Sequence, residues 1–115
     1  MASLILLTGC IGQGPDLEFS AGPCDETIDP LETDLGIKET TWVDDTTLVV
    51  TVLVGINCAE EIESGSFKLL GSKIILQYTS PKCETCTFCL CTHELVYTFT
   101  DLEKDDYQFE LERIT

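Results

Sequence analysis

Five side chains able to bind a metal or exchange electrons crowd into one stretch, CETCTFCLCTH: Cys83, Cys86, Cys89, Cys91 and His93. Thiolate and imidazole are the ligands that soft or borderline ions such as Zn(II) and Cu(I) prefer. A zinc ribbon wraps its tetrahedron with two separate Cys-x-x-Cys knuckles a dozen or more residues apart. Here the pairs Cys83/Cys86 and Cys86/Cys89 overlap, and the sequence holds no second knuckle. On an extended strand, Cys89, Cys91 and His93 are spaced by roughly 6.5 Å, twice the rise per residue, which suits two or three ligands. A Zn or Cu site on Cys83, Cys86, Cys89, Cys91 and His93 is thus one reading of the run. Catalysis is a poorer one. A reactive cysteine needs nearby cations or a helix N-terminus to lower its pKa, and CETC has only Lys82 beside it in an acidic chain. The same acidity argues against Cys91 and His93 as nucleophile and base. No GxSxG, HExxH or Gly-rich phosphate loop occurs in the sequence, so no enzymatic activity is expected.

The elements that position these residues must come from a short chain. With 115 residues, 43% of them hydrophobic, it can enclose one modest core that needs cross-links to be robust. Twenty-one acidic against six basic residues give a formal charge of -15. Such a charge repels phosphate backbones and anionic lipids, which argues against nucleic-acid binding and leaves a cation or a basic protein partner open.

Near the N-terminus, SLILLTGC (residues 3–10) is an apolar run closed by Leu7, Thr8, Gly9 and Cys10. It resembles the lipobox of prokaryotic lipoproteins. The resemblance implies cleavage between Gly9 and Cys10, a lipid on Cys10, and a domain held outside the cell at the membrane. No other stretch reaches the ~18 apolar residues of a membrane span. The expected organisation is a leader over residues 1–9, then the lipidated Cys10 and a flexible acidic arm over 10–36, then a β domain over 37–115. Asp25, Glu26, Asp29, Glu32 and Asp34 gather in the arm, but DETIDPLETD lacks the oxygen offsets and Gly turn of a calcium loop. Leu17–Ser20 reads as a short edge strand, and Cys24 as a tie to the body.

From Ile37 the apolar period is two, the mark of strands that bury one face. In TLVVTVLVGINC the residues Leu48, Val50, Val52, Val54, Ile56 and Cys58 fall on one side. TTWV and TLVV flank Asp44-Asp45-Thr46 as a hairpin, and SFKLL and KIILQY flank Gly71-Ser72 as another. Leu95, Tyr97 and Phe99 require the core side, and the alternation extended backwards puts Cys89, Cys91 and His93 on it too. Tyr107, Phe109 and Leu111 form the inner face of the last strand. About seven strands with regular turn signals predict an antiparallel sandwich.

Leu102 five residues before Tyr107, leading into the final strand, resembles the tyrosine corner of immunoglobulin-like and fibronectin-type domains. That resemblance implies an immunoglobulin-like β-sandwich in which the Tyr107 hydroxyl bonds back to the chain just upstream. More loosely, Asn57-Cys58 at a strand end followed by a Cys-x-Cys strand resembles small secreted prokaryotic sandwich domains.

An oxidising compartment favours paired thiols. With Cys10 lipidated, six cysteines remain: Cys24, Cys58, Cys83, Cys86, Cys89 and Cys91, an even number allowing 15 pairings. Cys89 and Cys91 point the same way along one strand and should not join each other. Cys58 is expected to pair with Cys89 or Cys91. The favoured reading is therefore a disulfide-stapled, lipid-anchored extracytoplasmic domain without cofactor that supports the envelope or binds a partner; the alternative is metal binding by the cysteine run.

Overall fold

A computed structural model of the chain describes residues 15–115; the leader and Cys10 lie outside the described residues. Seven strands account for the regular structure: β1 (Asp16–Ala21), β2 (Gly36–Asp44), β3 (Thr47–Asn57), β4 (Ser64–Leu70), β5 (Lys73–Thr79), β6 (Leu90–Thr100) and β7 (Gln108–Ile114). They form a four-stranded sheet in the order β1-β6-β3-β2 and a three-stranded sheet in the order β4-β5-β7.

β3 is the clearest case of sequence dictating structure. Its side chains alternate without a break between half-buried and buried, with Leu48, Val50, Val52, Val54 and Ile56 all inward. Its β-branched residues suit a pleated, one-face-buried surface. β6 pairs with it antiparallel, so that Leu48 faces Phe99, Val50 faces Tyr97 and Val52 faces Leu95. Ile74, Leu76 and Tyr78 of β5 close the same core from the other sheet. The Phe67 and Phe99 rings meet edge to face at 5.0 Å, as do Phe19 and Tyr97, the arrangement that ring quadrupoles favour.

Both hairpins lie where the turn residues put them. Gly71 has φ +62°, and Ser72 is not in the left-handed region, the pattern of a two-residue turn with Gly first. Asp44 shapes the other turn by accepting the Thr46 N–H at 2.9 Å. β1 is an edge strand on β6, with Phe19 opposite Tyr97. The segment expected as an acidic arm thus contributes a strand to the first sheet.

Two expectations are corrected. The second sheet is mixed, because β7 runs parallel to β5. After β6 the chain turns at Asp101, in the left-handed region at φ 58°, a conformation Asp tolerates better than most residues. It then leaves the first sheet for the open edge of the second. Two reversals between β5 and β7 bring β7 alongside in the same sense. Second, Phe109 and Leu111 are only half-buried, since β7 is an edge strand with one neighbour. The expected tyrosine contact is present: the Tyr107 hydroxyl donates to the Glu103 carbonyl at 2.6 Å.

Candidate functional site: the stapled end

β3 ends at Asn57, and β6 begins at Leu90 directly across the ladder. The connection between β5 and β6 and the segment between β1 and β2 both pass over this end of the molecule, and six cysteines meet there. Cys24 is bonded to Cys91, Cys58 to Cys89, and Cys83 to Cys86, with Cα separations of 5.2, 5.4 and 5.4 Å. All three separations fall in the ordinary disulfide range.

The structure therefore divides the contiguous run. Cys83 and Cys86 lie near Glu60, whereas Cys89 and Cys91 gather with Cys58. His93 joins neither group. Its Nδ1 lies 2.9 Å from the Gly22 carbonyl, so the Nδ1–H pins the chain just after β1. Of the inward stripe expected from the alternation, Cys91 is buried and His93 half-buried, but Cys89 is exposed. It lies just before the start of β6, at the end of the sheet, where the inward side is no longer covered.

A polar network the sequence did not reveal holds this end. The Asn57 side chain works as a clamp, accepting from Ala59 N–H (2.9 Å), Thr87 N–H (3.2 Å) and Thr87 Oγ1 (3.1 Å) and donating to Thr87 C=O (2.7 Å). Glu60 accepts from Asn57 N–H at 2.8 Å and Cys83 N–H at 3.0 Å, and faces the Arg113 guanidinium at 3.2 Å. Arg113 in turn donates to the carbonyl of fully buried Ser80 at 3.0 Å. The Cys83 and Asn57 amides, then Arg113, hold the Glu60 carboxyl below its ordinary value of 4.5 against the opposing effect of burial. The dipeptide Asn57-Cys58 was the one available sequence signal for this network; Glu60 and Arg113 gave none.

What this scaffold presents is apolar and acidic. Phe88 is fully exposed, Leu31 is 80% exposed and Leu90 48%. With Pro30, Thr87 and Asp29 they line a shallow groove of 380 Å³. Beside it, Asp25 and Glu26 border a second depression with Asp29 and Leu90. Asp25 is fixed by bonds at both of its ends. Its N–H donates to Thr92 C=O at 2.8 Å, and its carboxylate accepts from Thr27, which keeps its pKa below the ordinary range.

No protein-family model matches the chain, and neither a search of curated proteins nor one of solved structures finds a match.

Proposed function

We propose that this is a non-enzymatic, immunoglobulin-like β-sandwich domain, anchored outside the cell through a lipid on Cys10, that binds a protein partner with its stapled end. The four-plus-three arrangement of strands over a shared core supports the fold assignment, as does the Tyr107 bond to Glu103. The single observation that carries the binding role is Phe88. An aromatic ring left wholly in water forgoes roughly 2–3 kcal/mol of burial, yet this one sits on a loop fixed by Asn57 and by the Cys58–Cys89 bond. A rigid, exposed aromatic is what a binding hot spot requires, since little ordering entropy is lost on association.

Charge selects the occupant. Asp29 lines the groove, and Asp25 and Glu26 border the depression beside it, on a chain of charge -15, so a second copy or an anionic membrane would be repelled. An apolar side chain flanked by Lys or Arg on a partner protein is favoured. The test places a photo-crosslinking phenylalanine analogue at position 88, or at exposed Lys68 on β4, in the producing cell. An adduct formed from position 88 alone, and reduced by added salt, supports the reading. Equal adducts from both positions, or none from 88, overturn it. The anchor is tested separately. Cys10→Ser should release the protein from membranes, and unchanged detergent partitioning would refute the lipid assignment.

A further inference from the structure

We infer that the tip of the β4–β5 hairpin seats Leu69 and Leu70 in the surface of the bilayer that holds the Cys10 lipid, so that the anchored domain has a fixed membrane-facing end. The inference rests on the lipid anchor proposed above. Ladder positions fix which end each segment occupies. β1 starts at Asp16, opposite Thr100 at the end of β6. The Tyr97 hydroxyl reaches Gln77 C=O and the Phe99 ring meets Phe67, so β6 runs toward Thr100 as β4 runs toward Leu70 and the hairpin turn. The incoming chain and the hairpin tip therefore share one end of the molecule, and the stapled end with Phe88 lies at the other.

They share a corner as well, since the Phe19 ring of β1 lies against Gly65 of β4. From that contact β1 reaches back to Asp16 over about 10 Å, and β4 reaches on to Leu70 over about 17 Å, at ~3.3 Å per residue. The tip thus overhangs the start of β1 by about 7 Å. Residues 11–15 separate Cys10 from Asp16, a stretch that spans at most about 20 Å. A lipid on Cys10 therefore keeps this corner beside the membrane whatever path the linking residues take.

The tip has the chemistry of an interfacial wedge. Leu70 is 58% exposed and Leu69 38%; as strand neighbours they point to opposite faces of the hairpin. Gly71 and Ser72 between the strands carry no charge. Lys68 and Lys73 flank the four residues, placed to lay their stems along apolar surface and their ammonium groups among lipid phosphates. An overhang of ~7 Å matches the ~5–10 Å to which interfacial apolar side chains bury. Exposed Asp44, Asp45, Glu103, Asp105 and Asp106 share this end, but they gather about the β2–β3 turn, where Leu102 N–H donates to Thr46 C=O at 3.0 Å. β2 and β7 are the sheet edges opposite β1 and β4. Repulsion between those carboxylates and lipid phosphate tilts the domain onto the β4–β5 tip.

The test uses the lipidated protein from its producing cell with Trp42, the one tryptophan of the chain, replaced by Phe. It is reconstituted into phosphatidylcholine vesicles with and without bromine on the acyl chains. In this background Leu70→Trp should shift its emission to the blue on reconstitution and lose about half its intensity to brominated chains, as a ring at interfacial depth does. Phe88→Trp, at the other end, should do neither. If the Leu70→Trp protein floats with the vesicles yet is quenched no more than Phe88→Trp, the proposal is overturned and the anchor stands. Protein that does not float with the vesicles refutes the anchor and the tip together. A blue shift without quenching would put protein, not lipid, on the tip and likewise overturns the proposal.

Discussion

Tyr97 on β6 donates its hydroxyl proton to the main-chain carbonyl of Gln77 on β5 at 2.7 Å, so one buried hydrogen bond ties the two sheets together. Burial pushes the Tyr97 phenol well above its ordinary pKa of 10, so the donor stays protonated well into alkaline pH. Tyr97→Phe should cost about 1 kcal/mol, and more if the Gln77 carbonyl is left without a second partner. Tyr107→Phe should cost less, because water can reach the Glu103 carbonyl. Urea denaturation of the two variants measures the difference; equal losses would mean that the sheets do not depend on the buried bond.

A methyl group at Gly65 on β4 would overlap the ring of Phe19, which lies across it from the first sheet. Gly65→Ala should therefore destabilise by about 1–3 kcal/mol through overpacking. Adding Phe19→Leu should recover part of that loss. If the double variant is less stable than Gly65→Ala alone, the ring is not what occupies the space.

The depressed pKa of Glu60 makes part of the stability depend on acid. A carboxyl whose folded value lies below its ordinary 4.5 contributes fully above that pH, and the contribution is lost as pH falls through the folded value. Unfolding followed from pH 7 downward should therefore show a loss beginning near pH 4.5 that Glu60→Gln reduces. Its mutant curve should also start lower at neutral pH, since Arg113 then loses a charged partner. Parallel curves for the two proteins would exclude Glu60 as the source.

With Cys10 carrying its lipid, the oxidised mature domain should expose no thiol to a label in denaturant, and peptide mapping should link Cys24 to Cys91 and Cys58 to Cys89. The chain-entropy model ranks the staples by the loop each closes. Replacing Cys24 and Cys91 with Ser, which frees a separation of 67 residues, should cost about 4 kcal/mol. The same change at Cys83 and Cys86, separated by 3, should cost about 2 kcal/mol or less. Thermal melts that reverse this order would show that native strain, not loop closure, dominates.

Much of the architecture was legible because it is local. The inward set on β3 needs only an alternating run, and the Gly71-Ser72 hairpin needs only a residue at ease with positive φ. Cys89 departs from the same reasoning, since the covered core ends before the alternating run does. Thr92 is a subtler case: it lies opposite in parity to Cys91 yet is fully buried, because the segment after β1 covers it and its hydroxyl donates to Ile28 C=O at 2.9 Å. The parallel β5–β7 pair depends on which sheet edge the chain reaches after Asp101, and no residue type encodes that. The network of Asn57, Glu60 and Arg113 joins residues far apart in the chain through charge and hydrogen bonding, so it became visible only with the fold.

The Cys24–Cys91 bond also has a mechanical meaning. β1 runs antiparallel to β6 from Asp16 opposite Thr100 to Ala21 opposite Leu95, and the bond lies just beyond the closed end of that pair. A pull on the chain before β1 loads this ladder like a zipper, one bond at a time, and peeling ends at the covalent link. The chain between the two cysteines, a separation of 67 residues, cannot then be drawn out, which withholds about 230 Å of contour length at ~3.4 Å per residue. Tethered from its N-terminal side, the domain would yield a short slack at low force and then hold the remainder, including the Phe88 end, taut and folded.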